Sequence, residues 1–434
     1  MRHPAGDESH HESRSEYTPI MGAPNTRSTA EYTFPLAGLL ILAAAIFVSV
    51  TSEFLPVGLL PDLAESFRVS EAQVGLLVTI FAGTVVISAA PLSILTRKVP
   101  RKNLVVIVLI AFAVANGLAS VAPSYEILVT ARVIGGLAHG LFWAVVSAYG
   151  AYLVPKHHIG RAVAITSGGG TAAFILGVPL GTALGHALGW RLAFAVIGVI
   201  VLLLVGLVIR FLPPVTHGEQ LHTGEIAIPL RKDRSVLGVV FICVIVALVM
   251  FGHNIFYTYI APYLIDVAGF DESSIALLLF VYGGAGAIGL VLAGIVSDRF
   301  PRAGLIGAIA LVAASVFVIA LQPQQTWVLI AAFIVWAIAF GGAPAILQTR
   351  MLHTASARIR DTAAAFLTTS FNIAIGGGAL VGGLLLSNVG VAVLPFADVA
   401  IMVIAIVMII VSDIVLRRRE LARIGRTGSI STQR

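Results

Sequence analysis

The sequence contains little charge. Asp, Glu, Lys and Arg account for 11% of its 434 residues, whereas apolar residues account for 58%, and the mean hydropathy is +0.99. A soluble domain needs a far more charged surface, so this composition excludes a soluble fold. Cysteine is nearly absent too. The single residue, Cys243, excludes a disulfide framework, and we interpret it as a packing residue.

Several catalytic motifs are also missing. Although 43 glycines are present, no lysine follows a glycine, so the sequence lacks the phosphate-binding loop of ATPases. His-Glu-x-x-His, Gly-x-Ser-x-Gly and paired cysteines are absent, which argues against an intramembrane enzyme. No filter sequence or ring of charges typical of a passive channel is found either. We therefore expect no enzymatic activity, no cofactor and no bound metal ion.

Long apolar runs dominate what is present. Each is close to the roughly 20 residues that a helix needs to cross a bilayer. The runs are continuously apolar rather than alternating, which favours helices over a β-barrel. We predict an all-α polytopic membrane protein with twelve transmembrane helices in two pseudo-symmetric six-helix bundles. The predicted spans are 34–56, 72–95, 104–122, 126–153, 162–185, 191–212, 236–265, 273–297, 304–321, 326–347, 362–386 and 391–416.

The positive charge is concentrated in alternate loops. A net charge of +6 is compatible with nucleic-acid binding, but the location of the basic residues follows the positive-inside rule instead. We therefore expect no nucleic-acid partner, a cell (plasma or inner) membrane location and both termini in the cytoplasm. On the outer side only Arg68 and Arg191 remain. The predicted inner-loop residues are Arg97, Lys98, Arg101, Lys102, Lys156, Arg161, Arg210, Arg231, Lys232, Arg234, Arg299, Arg302, Arg350, Arg358 and Arg360.

The chain contains an internal repeat. With an offset of 201 residues, Pro61 falls on Pro262, Gly140 on Gly341, and Lys98-Val-Pro-Arg101 on Arg299-Phe-Pro-Arg302. Two such halves place a binding site between them near mid-membrane, where rocking gives alternating access. The predicted organisation is a disordered cytoplasmic tail 1–33, an N-terminal bundle 34–212, a cytoplasmic linker 213–235, a C-terminal bundle 236–416 and a basic cytoplasmic tail 417–434.

One inner-loop motif carries a family resemblance. The stretch Gly294-Ile-Val-Ser-Asp298-Arg299-Phe-Pro-Arg302 resembles the Gly-x-x-x-Asp-Arg-x-x-Arg signature of the major facilitator superfamily. The first-half equivalent ends in Arg101 but has Arg97 in place of the aspartate. The resemblance implies that Asp298, Arg299, Arg302 and Arg101 act as a conformational latch, with Asp298 the main latch residue.

Further motifs narrow the resemblance to the twelve-helix drug/proton antiporter branch. These are Arg132-Val-Ile-Gly-Gly136 and the antiporter helix motif Gly177-Val-Pro179-Leu-Gly181. The stretches Thr51-Ser-Glu53-Phe-Leu-Pro56 and Tyr257-Thr-Tyr-Ile-Ala-Pro262 are similar to those of sugar-efflux and chloramphenicol-efflux members. The resemblance covers roughly 34–416 and implies export of a small solute. In the antiporter motif, Pro179 is expected to kink its helix.

Three residues of the N-terminal bundle, Glu53, Arg132 and His139, are the candidate proton-coupling group. Arg132 lies well inside a span and needs a partner, and Glu53 lies at the same predicted depth. A buried carboxylate keeps its charge beside an arginine and takes up a proton without it, although a static ion pair is the alternative. His139 shares a helix face with Arg132 and Trp143, where it either relays protons or satisfies a neighbouring helix. The repeat places Phe340 opposite His139.

Polar and aromatic residues elsewhere are candidate substrate contacts. His253, Asn254 and Tyr257 form one face of the seventh span, while Asn372 and Trp143 lie on other spans. Interhelical hydrogen bonding is the alternative role for these side chains. Asp398 is interpreted as an interfacial residue.

Together these features predict a secondary active transporter that exports a small solute, such as a sugar or a drug like chloramphenicol, in exchange for protons. The alternative is a proton-coupled importer on the same fold. The expected partners are the small-molecule substrate, protons and the lipid bilayer, and the chain is expected to be monomeric.

Overall fold

The computed structural model describes residues 34–428 except 97, 156–157, 215–232, 234, 301–302 and 357–358. The all-α prediction is confirmed, because the described chain folds into helices without strands. The α-helices are α1 Leu36–Gly58, α2 Leu60–Phe67, α3 Glu71–Leu95, α4 Arg101–Ser120, α5 Tyr125–Tyr152, α6 Ile159–Ala172, α7 Val178–Leu188, α8 Trp190–Phe211, α9 Val236–Tyr257, α10 Ile260–Pro262, α11 Glu272–Arg299, α12 Ala303–Leu321, α13 Thr326–Thr354, α14 Arg360–Asn388 and α15 Leu394–Gly428.

The predicted spans correspond to these helices. In the described chain, eleven helical segments are long and apolar enough to cross a membrane. The remaining predicted span, the fourth (126–153), is α5, which is 28 residues long and carries Arg132 and His139 among its apolar residues. Three details differ from the prediction. The seventh predicted span, 236–265, is divided, because α9 ends at Tyr257 and is followed by α10 and a π-helical turn, Tyr263–Val267. The segment after the first span forms the separate helix α2, and α15 continues through the expected C-terminal tail to Gly428.

The repeat is visible in the backbone as well as in the sequence. Within the described chain, four residues have positive φ: Arg68 at 53°, Gly189 at 93°, Gly269 at 72° and Gly390 at 109°. They form two pairs, Arg68 with Gly269 and Gly189 with Gly390, and each pair is separated by the 201-residue repeat offset. Left-handed residues end helices and turn the chain. Equivalent corners in the two halves therefore share one backbone conformation.

Helices of each half pack mainly among themselves, and two seams join the halves. One seam is α3 against α14, where the Thr79 hydroxyl donates to the Gly376 carbonyl at 2.9 Å. The other is α11 against α7 and the turn before it, where Gly283 lies directly on the backbone of Phe174. We call the end bearing the loops around Arg101 and Arg299 the basic end, and the opposite end the distal end. Both contacts lie in the distal halves of α3, α11 and α14.

The fifth span is interrupted at the antiporter motif. Its helix changes from α6 to a π-helical turn, Ala173–Gly177, and then to α7, which has Pro179 in its first turn. Pro179 lacks an amide hydrogen, so the regular series of helical backbone hydrogen bonds is interrupted there. The proline thus accounts for the irregular turn. A Cβ atom at Gly177 would collide with the Thr51 hydroxyl, and one at Gly181 would lie 2.7 Å from Leu55 Cδ1. The two glycines thus let this span approach α1 closely.

Candidate functional site

A buried polar cluster lies between α1 and α5 in the first half. Arg132 is only 4% exposed, and its two terminal nitrogens donate to the backbone carbonyls of Ser52 and Glu53 at 2.8 Å each. Pro56 stands four residues after Ser52 within α1 and has no amide hydrogen to offer the Ser52 carbonyl. The proline of the Thr51–Pro56 motif therefore leaves an acceptor free, and Arg132 takes it.

The aromatic ring of Phe81 covers the other side of this arginine. The guanidinium carbon lies 4.3 Å from the ring centroid, which gives a desolvated cation–π contact. Close by, the Ser52 hydroxyl donates to the Asn116 side-chain oxygen at 2.9 Å. Arg132 is thus held by backbone carbonyls and an aromatic face, and the Glu53 carboxylate remains available to another partner.

That partner is His139. Glu53 Oε2 lies 3.5 Å from His139 Nε2, and the two residues are 6% and 3% exposed. The indole N–H of Trp143 donates to the same Nε2 at 2.6 Å, while Nδ1 lies 2.9 Å from the Ser49 hydroxyl. Since Nε2 accepts from the indole, the imidazole is neutral and carries its proton on Nδ1. The carboxylate and an accepting nitrogen therefore face each other.

A cavity of about 150 Å³ lies beside this cluster, between the two halves. Its first-half wall includes Phe54, the residue after Glu53, and Phe174 of the π turn, whose rings are 4.9 Å apart. Its second-half wall is aromatic. His253 stacks on Phe340 with ring centroids 3.4 Å apart and on Tyr257 at 4.9 Å. The cavity can therefore hold a small, largely uncharged solute between flat aromatic faces.

The structure separates the predicted substrate residues. His253, Asn254 and Tyr257 line the cavity together, although the Asn254 side-chain nitrogen donates to the Met250 carbonyl of its own helix at 2.8 Å. Asn372 bonds the Thr368 carbonyl at 3.0 Å and is not among the residues that line this cavity. Trp143 belongs to the polar cluster through His139. The substrate-binding roles of all five residues stay predictions.

Several site residues were not found from the sequence. Tyr282 and Phe340 line the cavity beside His253, yet in sequence they look like ordinary aromatic residues of apolar spans. The repeat gave a hint, since it places Phe340 opposite His139. Asp398 was interpreted as an interfacial residue, whereas the structure buries it inside the protein. The residue is 0% exposed, and both of its carboxylate oxygens are without a hydrogen-bond partner within the described structure.

The predicted latch lies at the basic end, apart from the cavity. Arg101 begins α4 and lines a small pocket with Leu141 and Val145 of α5. Arg299 ends α11 and is exposed, with its guanidinium 5.8 Å from the Phe300 ring. Asp298 lies within the last turn of α11, its side chain is outside the described part, and Arg302 is outside the described residues. The latch therefore stays a prediction.

Two repeated helical bundles around a central cavity define the class of this protein: a polytopic membrane transporter. A family model described as the Major Facilitator Superfamily matches residues 42–375 and 242–430. The chain belongs to this superfamily, whose members are transporters and not enzymes.

Relatives in sequence support this assignment, and solved structures share the fold. The chain is 30% identical over 374 residues to a probable sugar efflux transporter of Helicobacter pylori (strain G27), covering 86% of this chain and 94% of the relative. A probable sugar efflux transporter of Pasteurella multocida (strain Pm70) is 30% identical over 398 residues, covering 90% and 94%. A bacterial homolog of the human lysosomal transporter Spinster, in an inward-facing and occupied conformation, matches with a TM-score of 0.69 and 18% identity over 88% of this chain and 97% of that one. The human organic anion transporter MFSD10 (TETRAN) matches with a TM-score of 0.69 and 15% identity, over 87% and 100%.

Proposed function

We propose that this protein exports a small neutral or weakly polar solute, such as a sugar or a chloramphenicol-like drug, in exchange for protons by alternating access. The observation that carries the proposal is the contact between Glu53 and His139. The name of the Helicobacter relative, probable sugar efflux transporter, supports the direction and the solute class.

The geometry of the contact supports proton coupling. Glu53 Oε2 faces His139 Nε2 at 3.5 Å, and both atoms are acceptors as long as neither residue holds an extra proton. Two buried acceptors at this distance repel, and a single added proton relieves the repulsion for both. Because Arg132 is engaged by backbone carbonyls, it favours the charged carboxylate only through space. When the two halves rock against each other, a shift of α1 relative to α5 would change the distance from Arg132 to the Glu53 carboxylate and so favour or disfavour its protonation.

The cavity supports the choice of solute. Its second half presents the stacked rings of His253, Tyr257 and Phe340, and flat aromatic faces bind the apolar face of a sugar ring or an aromatic drug. Asn254 supplies a polar group in the same wall. A highly charged solute would find few counter-charges here.

The distal end is closed by the packing of α3 on α14 and of α7 on α11. With the basic end in the cytoplasm, as the positive-inside rule predicts, this is a state closed toward the outside of the cell. A reporter fused after Pro123 or Gln324 should then be found outside, and a reporter within 217–228 inside. The reversed pattern would overturn the orientation.

The test of coupling uses purified protein in liposomes. Uphill transport driven by a pH gradient is measured beside energy-independent substrate exchange, with a panel of sugars and chloramphenicol-like compounds. Glu53→Gln keeps the shape of the side chain and removes the proton-binding carboxylate. It should lose gradient-driven transport and keep exchange. Glu126→Gln, an acidic residue in the first turn of α5, is the matched control and should keep both.

The outcomes separate the possibilities. Full gradient-driven transport in Glu53→Gln would move proton coupling to another residue. Loss of both activities would indicate a role in folding or binding. Reversing the pH gradient distinguishes the antiporter from the proton-coupled importer, because only the antiporter expels solute toward the more acidic side.

A further inference from the structure

Three potential metal ligands meet at the distal end. His186 Nε2 lies 3.3 Å from Asp62 Oδ2 and 4.0 Å from Glu272 Oε1, and the three ligand atoms all lie within 4.8 Å of one another. Asp62 belongs to α2 and His186 to the last turn of α7, both in the first half, while Glu272 is the first residue of α11 in the second half. The cluster therefore spans the seam between the halves.

The contacts leave this cluster incompletely satisfied. Asp62 Oδ2 and His186 Nδ1 are buried atoms that make no well-formed hydrogen bond within the described structure, so the 3.3 Å approach of Nε2 to Asp62 Oδ2 acts chiefly through charge. Two carboxylates share one imidazole, and Glu65 adds a further negative charge near Glu272. A buried acceptor surrounded by like charge costs free energy unless a cation or proton is added.

The ligand set fits a particular class of cation. One imidazole and two carboxylates are ligands that Zn²⁺ takes at about 2.0–2.2 Å, usually with four ligands in a tetrahedron. Such bonds place neighbouring ligand atoms about 3.3–3.6 Å apart. The His186–Asp62 separation already has this value, and a rotamer adjustment of the Glu272 side chain, which is 51% exposed, brings in the third ligand. Its exposure leaves room for water as the fourth.

We propose that Asp62, His186 and Glu272 form a binding site for Zn²⁺ or a divalent transition-metal ion of similar ligand preference, and that the bound ion fastens the distal end closed. The motifs of the sequence predicted no metal site, because the three ligands lie far apart along the chain. Since Glu272 reaches the other two ligands only when the halves meet, the ion binds this state better than an open one. By linkage it shifts the population toward closure and inhibits the transport cycle.

The first experiment measures binding to the full-length protein in detergent, by competition with a fluorescent Zn²⁺ indicator. Histidines elsewhere in the chain, such as His3, His10 and His11, offer additional ligands, so the informative quantity is the difference between variants. His186→Gln should bind one Zn²⁺ fewer than the unmodified protein, and Asp62→Asn and Glu272→Gln should weaken that site at least tenfold. Glu65→Gln removes a neighbouring charge on the same helix as Asp62 and should change the affinity much less.

The second experiment measures closure. Spin labels at Val121→Cys and Gln322→Cys, which are exposed repeat-equivalent positions at the distal ends of the two halves, are placed in a Cys243→Ala background. Zn²⁺ should enrich the short inter-label distance, and His186→Gln should abolish this response. Equal Zn²⁺ binding by the unmodified protein and all three ligand variants would overturn the site. Binding without any change in distance would overturn the fastening role.

Discussion

Glu53 Oε2 lies 3.5 Å from His139 Nε2, inside the membrane-spanning part of the first half. The same nitrogen already accepts a hydrogen bond from the Trp143 indole at 2.6 Å. The indole therefore competes with any proton that Glu53 and His139 share. This competition gives a direct way to test whether the pair titrates during transport.

Trp143→Phe should raise the midpoint pH of gradient-driven transport. Phenylalanine keeps an aromatic ring but removes the N–H donor, so Nε2 becomes free to share a proton with Glu53. One hydrogen bond of about 1–1.5 kcal/mol corresponds to roughly one pH unit. The proton-bound form is favoured, so release requires a higher pH. The pH profile of transport in liposomes checks this.

The matched control is Trp190→Phe. The Trp190 indole donates to Ser66 at 2.8 Å, outside the cluster, so this exchange should leave the midpoint pH unchanged. An equal shift in both variants, or no shift in Trp143→Phe, would mean that the indole does not control the proton of the pair.

Pro56→Ala should weaken the Arg132 site. Alanine supplies an amide hydrogen to the Ser52 carbonyl, which now accepts from Arg132 at 2.8 Å. The new amide and the guanidinium then share one carbonyl, which weakens a charge-assisted hydrogen bond worth about 1.5–3 kcal/mol when intact, so gradient-driven transport should fall severalfold. Pro91→Ala, at an exposed position within α3, should retain transport. Unchanged transport in Pro56→Ala would show that the proline's effect on this carbonyl is unimportant.

Gly283→Ala should prevent closure of the distal end. A Cβ atom at Gly283 would collide with the Phe174 backbone, whereas one at the neighbouring Gly284 would meet nothing within 4 Å. Gly283→Ala should therefore abolish transport and increase the distance between labels at Val121 and Gln322. Gly284→Ala should behave like the unmodified protein. Normal transport in Gly283→Ala would mean that the seam can repack without loss.

Much of the fold follows from the sequence, because hydrocarbon permits few architectures for long apolar runs. The 201-residue offset predicted the equivalence of the two halves, and the paired left-handed corners agree with it. The antiporter motif indicated an irregular fifth span, although not that the irregularity is a π turn at Ala173–Gly177.

The site was less predictable, for two physical reasons. Helices that are apolar all round do not reveal which face meets a neighbour, so the aromatic wall of Tyr282 and Phe340 looks like any other apolar stretch. Contacts between halves, such as Glu272 with His186, also depend on which state the carrier is in, and sequence spacing does not encode that state. Depth along a helix did place Glu53 near Arg132 correctly, but not the carbonyls that bind the guanidinium.

Arg68→Gly should stabilise the protein. Arg68 ends α2 in the left-handed conformation with φ of 53°, which costs a residue with a side chain about 1 kcal/mol. Its repeat equivalent is already Gly269, with φ of 72°. Thermal unfolding in detergent should show a higher melting temperature for Arg68→Gly and a lower one for Gly269→Ala. The opposite order would show that Arg68 makes a contact that outweighs its backbone strain.

Asp398→Asn should separate stability from transport. Asp398 is 0% exposed and both carboxylate oxygens lack a partner within the described chain. Oδ1 lies 3.0 Å from where a Cβ of Gly252 would be, beside His253 of the cavity wall. An unpartnered carboxyl group within a membrane helix costs free energy, and such groups persist where function needs them. We expect the asparagine variant to keep or raise the melting temperature and to lower gradient-driven transport at least tenfold.

A second aspartate of the same helix makes this test specific. Asp413 forms an ion pair with Arg350 of α13, so Asp413→Asn leaves a half-buried guanidinium without its counter-charge. That variant should lower the melting temperature, the reverse of the effect at Asp398. Both quantities are measured on the same preparations, by thermal unfolding and by transport in liposomes. Normal transport in Asp398→Asn would show that the carboxyl group serves no step of the cycle, and a large loss of stability would show that it has a structural partner. A stable but uncoupled variant would place a proton-coupling residue in the second half, where the sequence had predicted none.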